Sequence, residues 1–351
     1  MKGSGIGGQA VMEGIMMKNG DRYAVGVRKA DKEIIVKKSE YPSFIKGKKF
    51  FSLPFVRGVF NFVDSLVLGM KTLTYSAGFF EEEEEEVSTK EPSKLEKKLD
   101  AFFDTKKGMD ILMGITVAIS LVFSVAVFMM APYWLSRLLS MVTDSVTIIN
   151  TCEGILKILI FMGYIWLISR MKEIQRVFMY HGAEHKCINC IESGLELKVE
   201  NVMKSSRLHK RCGTSFLLIV MIVSVIMHMF INVESKMLGF GIRILMLPLI
   251  AGISYEFIRL AGNSENKVVA LLSKPGMMLQ KMTTKEPTED MVEVAIAAVE
   301  AVFDWKKFLN ENFGTSYEIT EQEYVCGEFI VPGTENPKNE EKTPEVGEVL
   351  S

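Results

Sequence analysis

The stretch Met179 to Cys190, MYHGAEHKCINC, gathers the residues most able to do chemistry. It holds two of the chain's four histidines and two of its five cysteines. His181 and His185 are four apart, so on a helix they share one face and can grip one metal ion. Glu184 precedes the second histidine, which gives H-x-x-E-H, the inverted form of the H-E-x-x-H zinc-hydrolase pattern. The spacing suits a division of labour. Two neutral imidazoles hold a divalent Lewis acid, zinc by ligand type, while an open position holds water and the carboxylate takes the water's proton. A third protein ligand has to come from elsewhere in the chain.

Two plainer readings stand beside this one. The first is a polar helix end with two solvated histidines. The second is a closed structural zinc site: Cys187-x-x-Cys190 is followed by His209-x-x-Cys212, close to a zinc-ribbon spacing with one cysteine replaced. A ribbon also needs strands and turns around its ligands. Redox use of Cys187 and Cys190 has less behind it, since no thioredoxin-like strand–helix pattern surrounds them.

The elements that must position these residues are read from composition and periodicity. The 351 residues are 48% hydrophobic and 24% charged, with a net charge of -2, which gives no reason to expect nucleic acid as a partner. An odd number of cysteines, two of them in the motif, points to a reducing compartment without a disulfide framework. The N-terminal MKGSGIGGQA lacks a signal-peptide apolar core. Residues 1–50 read as a glycine-rich segment followed by a hairpin over 22–38 on a polar surface. Glu13 is the one carboxylate there that could serve a site. No G-x-x-x-x-G-K-[ST] phosphate loop is present.

Residues 51–80 read as an amphipathic helix, interfacial or packed on protein, because Arg57, Asn61, Asp64 and Lys71 form one polar stripe. Residues 81–106, opening with six glutamates, read as a solvated linker. Residues 107–262 read as a four-span membrane domain. The expected spans are Met109–Ala131 (ended by Pro132), Ile148–Ser169, Thr214–Val233 and Gly241–Ala261, the last kinked by Pro248. Glu153 and Lys157 are expected to pair at i,i+4. Residues 263–330 read as a cytoplasmic segment with a helix over 288–309 that could pack on the N-terminal β element, and 331–351 as a disordered tail. The fold class expected is therefore mainly α and integral to the membrane, with a small N-terminal β element.

The loop 170–213 carries most of the loop lysines and arginines, so the positive-inside rule makes it cytoplasmic, and both termini with it. His181, His185, His209 and Cys212 then meet at one cytoplasmic mouth. Glu256 lies about 8 Å below the end of the last span, at ~1.5 Å per residue. An acid within a span is costly unless used or paired. Glu256 is thus a candidate third metal ligand, or the i+3 partner of Arg259. His228, far along the third span, is expected to be a buried, hydrogen-bonded histidine.

These residues also carry a resemblance. GGQAVMEGIMMK, MYHGAEHK, ENVMKSSRLHKRCGTSFLLIV, AGISYEFIRLAG and the run Met282–Pro287 resemble the signatures of the YqhQ-like bacterial multi-pass membrane proteins, over about Gly7 to Asp304. The resemblance implies a membrane protein of the bacterial cytoplasmic membrane, classed as a metal-dependent enzyme with no established substrate. Glu13, Arg207, His209, Arg211, Cys212 and Glu256 fall inside its signatures. The family pattern has H-P-R-C-G-T-S-F where this chain has Lys210 in place of proline. It does not require cysteines at 187 and 190, which favours the H-x-x-E-H reading over the closed zinc. The expectation is a metal-dependent hydrolase at the cytoplasmic membrane face. His181 and His185 bind the metal, Glu256 or His209 completes it, Glu184 is the general base, and Arg207 and Arg211 hold an anionic substrate or developing charge. The alternative is a non-catalytic membrane scaffold or assembly factor whose metal is structural.

Overall fold

The computed structural model describes residues 2–43, 45–80, 106–231, 233, 235–263, 266–319 and 323–334. The expected acidic linker, except Lys106, and the tail from residue 335 onward lie outside them.

Five strands form one antiparallel sheet in sequence order: β1 (Gly7–Val11), β2 (Gly14–Asn19), β3 (Arg22–Arg28), β4 (Ile34–Glu40) and β5 (Gly327–Ile330). Val11 pairs with Gly14 and Asn19 with Arg22, so tight two-residue turns join the first three strands. Ile35 pairs with Ile330, which brings the far end of the chain back to the sheet. The start of the expected tail continues this pairing: Val331 N–H donates to the Ile34 carbonyl at 2.9 Å.

The small hairpin on a polar surface is thereby corrected to a five-stranded sheet covered on both faces. Ile15, Met17, Ala24, Ile34 and Val36 point into one core, and Val11, Met16, Tyr23, Val25 and Val27 into another. Alternate side chains of a strand face opposite sides. Here both sets are apolar, as in any sheet sandwiched between helices. Helix α1 (Val56–Ala77) covers the second face, and Leu68 completes that core.

A long apolar run follows. Helix α2 (Lys106–Val125) continues through a π-helical turn, Ala126–Met130, into α3 (Ala131–Arg137). Pro132 does not end it, contrary to expectation. A proline ring clashes with the carbonyl four residues before it, and the wider π turn falls just where that clash would arise. Helix α4 (Val146–Ile168) is the next apolar helix. Helix α5 (Lys172–Glu192) carries the H-x-x-E-H stretch, and the short α6 (Val199–Lys204) follows. Next come α7 (Gly213–Met229), α8 (Lys236–Leu245) and α9 (Leu247–Asn263), the last with Pro248 in its first turn. Then α10 (Lys267–Thr283), α11 (Glu289–Glu300) and α12 (Trp305–Phe313) close the chain. The helix expected over 288–309 is thus two helices.

Among the described residues, three helical stretches are long and apolar enough to cross a membrane: Gly114–Met141, Val146–Ile168 and Met237–Gly262. The expected third span forms α7, which has only 17 residues. At 1.5 Å per residue that is about 25 Å, short of the ~30 Å hydrocarbon layer.

The polar stripe of α1 is used against protein. Arg57 forms a two-pronged pair with Glu256 on α9, Asn61 donates to the Tyr255 hydroxyl at 2.9 Å, and Asp64 accepts from the Tyr41 hydroxyl at 3.1 Å. On the sheet's other side, α5 and α11 form the main core with Tyr180, Ala183, Cys187, Ile188, Met291, Val294 and Ala298.

Candidate metal centre

Helix α5 is two-faced, and the site follows from that. At about 100° per residue, His181, His185, Asn189 and Glu192 fall on one side and Cys187 and Cys190 on the other. The cysteine side packs into the sheet core. Cys187 and Cys190 are fully buried there, and Cys190 Sγ lies 3.4 Å from the Glu196 carbonyl. The closed four-ligand zinc of Cys187, Cys190, His209 and Cys212 is therefore not assembled.

The histidine side grips the backbone of the loop leading to α7. Lys186 Nζ donates to the carbonyls of Met203 and Ser205, at 2.8 and 2.9 Å. Asn189 donates to those of Ser206 and Leu208, at 2.6 and 3.0 Å. Gln280 of α10 clamps the same loop: its Oε1 accepts from His209 N–H, and its Nε2 donates to the His209 carbonyl and the Ser215 hydroxyl. These bonds satisfy loop backbone groups that burial would otherwise leave costly. They also carry Cys212, the N-cap of α7, onto the two histidines.

Among the described residues one group has metal-ligand geometry: His181, His185 and Cys212, whose ligand atoms lie within 4.8 Å of one another. Cys212 Sγ is 3.3 Å from His181 Nε2. The imidazole rings of His181 and His185 are 4.5 Å apart. Each ring is oriented through its other nitrogen. His181 Nδ1 is 3.0 Å from the Thr283 carbonyl and His185 Nδ1 2.6 Å from the Arg207 carbonyl. A carbonyl only accepts, so each Nδ1 carries a proton, and in the neutral ring Nε2 is left as the acceptor or ligand atom. Burial pulls the His185 pKa down, which keeps that ring neutral, although Cys212 and the Arg207 carbonyl push it the other way. Cys212 Sγ also accepts from Thr214 N–H at 3.4 Å, at the positive end of α7.

Glu184 is 6% exposed, and burial raises its pKa against the lowering effects of His181 and the Gly8 N–H that bonds it. Gly8 is needed for this approach: a Cβ there would lie 2.6 Å from the Met16 carbonyl oxygen and 3.1 Å from the Glu184 carboxyl carbon. Gly182 is needed on the opposite side, where a Cβ would overlap the Lys285 carbonyl oxygen.

The remaining candidates from the sequence are placed as follows. His209 stands beside the cluster, its ring 5.7 Å from that of His185, but its Nε2 faces Glu192 at 3.6 Å. Glu256 is taken by Arg57 and the Phe55 N–H, on α9, and is not among the grouped residues. Glu13 sits in the β1–β2 turn and pairs with Arg176. Arg211 pairs with Glu192, and Arg207 donates to the Thr284 carbonyl and faces Glu286 at 3.3 Å. Both arginines thus tie down the loop. Glu192 is held at about 2: burial pushes it up, but His209, the amide and hydroxyl of Ser4, and Arg211 together outweigh that.

Sequence reasoning ranked Cys212 below Glu256 and His209, and it gave no role to Thr283 or Gln280. The Met282–Pro287 signature was the available signal for the α10 end. Its function, a carbonyl orienting His181, is invisible in side-chain identity.

The donor set suits a metal. Two imidazoles and a thiolate select zinc over magnesium or calcium. The 3.3 Å Sγ–Nε2 separation is slightly shorter than the ~3.6 Å expected between sulfur and nitrogen ligands on a tetrahedral ion with bonds of roughly 2.0–2.3 Å.

Residues 53–305 match a family model described as a protein of unknown function, DUF1385. The chain is 33% identical over 320 residues to an uncharacterized protein, YqhQ, of Bacillus subtilis (strain 168). That likeness spans 89% of this chain and 96% of the relative. No solved structure matches.

Proposed function

This chain belongs to the DUF1385 family of proteins of unknown function and is similar to YqhQ, and from its site we propose that it is a metal-dependent membrane hydrolase. One observation carries the reading. One nitrogen from each of two imidazoles and one cysteine sulfur converge within 4.8 Å while both Nδ1 atoms are near backbone carbonyls. Proteins orient metal-binding histidines in this way.

His181, His185 and Cys212 would hold the ion, and a site with three protein ligands is of the catalytic rather than the closed structural kind. A zinc ion there would supply Lewis-acid chemistry and acidify water. Glu184 lies next to His181 in a buried setting that raises its pKa, the direction that favours a carboxylate acting as a proton acceptor. The Gly8 N–H fixes it. The three apolar helices and the lysine- and arginine-rich segment 170–213 support a multi-pass arrangement in the bacterial cytoplasmic membrane, with this segment and both termini on the cytoplasmic side.

A second reading has its own observation. Cys212 stands at a helix N-terminus with His181 Nε2 at 3.3 Å, the pairing of a cysteine nucleophile with its base. The second imidazole beside the sulfur favours the metal. The scaffold alternative keeps the ion but gives it no chemistry.

The test is a Glu184→Gln variant, compared with the wild type for zinc content and for hydrolysis of a panel of phosphoesters, carboxylic esters and peptides. The expected result is full zinc occupancy with turnover lost. Equal turnover in the variant removes Glu184 from the proton-accepting role. Full zinc in a wild type that turns over nothing supports the scaffold.

A further inference from the structure

A second polar centre lies among the apolar helices. It sits about 24 Å from the His/Cys cluster, counting the sixteen residue steps along α7 from Cys212 to His228 at 1.5 Å each. Glu153, Lys157 and Arg243 are each 3% exposed or less. Glu153 receives Arg243 in a two-pronged pair, both contacts 3.0 Å, and Lys157 at 2.8 Å, with Arg137 4.0 Å away. Among the described residues, one carboxylate therefore faces three cations. Loss of the Lys157 proton would not balance the charge, because neither guanidinium can give up its own. The two guanidiniums also crowd each other. Both donate to Asn150 Oδ1, at 3.1 and 3.3 Å, and both lie on the Tyr133 ring, at 4.8 and 4.9 Å. Like charges so close repel unless an anion joins them, and the cost of a surplus charge is high in an apolar setting.

His228 borders the cluster through its Nδ1. His228 is 2% exposed, and its Nε2 has no hydrogen-bond partner among the described residues. Its Nδ1 is 2.9 Å from Lys157 Nζ and 3.3 Å from the Ser224 hydroxyl. With the Lys157 ammonium donating to Nδ1, the ring proton sits on Nε2 and lacks an acceptor, a costly state for a buried donor.

We propose that this cluster of Arg137, Arg243 and Lys157 is a binding site for a phosphate group. Paired guanidiniums match phosphate oxygens better than any other side-chain arrangement. The phosphate comes either from an anionic lipid headgroup at that end of the helices or from free phosphate. The inference rests on burial and charge at this cluster and is independent of the metal reading.

Thermal unfolding of the detergent-purified full chain tests it, in buffer free of phosphate and at fixed ionic strength. One arm adds inorganic phosphate. The other adds phosphatidylglycerol to the micelles, with phosphatidylcholine as the neutral control. A ligand of the folded state raises the Tm and saturates. The expected result is a rise of several degrees in one arm that is absent in Arg137→Gln, a rim residue whose loss leaves the buried Glu153–Arg243 pair intact. Arg137→Lys keeps the charge and should keep part of the rise. A rise with phosphatidylglycerol alone identifies a headgroup, and a rise with phosphate alone a free anion. No rise in either arm, or an equal rise in wild type and Arg137→Gln, overturns the proposal.

Discussion

Cys212 Sγ lies 3.3 Å from His181 Nε2 across a separation of 31 residues. The contact depends on the loop between α6 and α7 being held against α5 and α10 almost wholly by side chains bonded to its backbone. Most predictions below follow from how that hold is made.

Gln280 makes three buried hydrogen bonds to the loop and to α7. Gln280→Leu fills the space but leaves the His209 N–H and carbonyl unsatisfied. At about 1–3 kcal/mol per orphaned buried group, a loss of about 3 kcal/mol is expected in chemical unfolding. Metal affinity should fall with it, because Cys212 loses its support.

Gly182→Ala is the smallest change expected to damage the centre. The added methyl would overlap the Lys285 carbonyl, whose own N–H donates to Phe178 at 2.9 Å. The Thr283–Lys285 segment must shift, and with it the carbonyl that orients His181. A loss of about 1–3 kcal/mol in stability and of about 10–100-fold in zinc affinity is predicted. Zinc titration against a competing chelator would measure the second.

How much of this was legible depends on the kind of contact. The His181–His185 pair follows from the helical repeat alone, as do the long apolar helices. The same repeat turns Cys187 and Cys190 to the opposite side of α5, so their zinc-like spacing misleads. Glu256 was recognisable as an acid needing a use or a partner. That the partner is Arg57, 199 residues away, depends on α1 lying along α9, which no local pattern encodes. Cys212 and Thr283 were hidden for a related reason: loop carbonyls do the positioning, and every residue has a carbonyl. The sheet was under-read because the strands around Ile15, Met16 and Met17 are apolar on both faces and show no alternation.

Glu192 sets an acid limit on the site. Its folded pKa of about 2 lies below the ordinary 4.5, so between these values the unfolded chain binds more protons than the folded one. The stability it contributes is fully present above about pH 4.5 and is lost as pH falls toward 2. Unfolding measured from pH 5 to 3 should show a slope in the wild type that is reduced in Glu192→Gln. An unchanged slope would mean that Arg211 and His209 do not hold this carboxylate.

The central claim is that His181, His185 and Cys212 form the metal centre, with Cys187 and Cys190 belonging to the core. Metal content by elemental mass spectrometry of detergent-purified protein tests it most directly. The variants are His181→Ala/His185→Ala, Cys212→Ala, Glu256→Gln and Cys187→Ala/Cys190→Ala. About one zinc per chain is predicted in the wild type, in Glu256→Gln and in the Cys187/Cys190 variant, with loss in the other two. A wild type without metal would contradict the account. So would zinc that survives in Cys212→Ala but disappears from Glu256→Gln or from the Cys187/Cys190 variant.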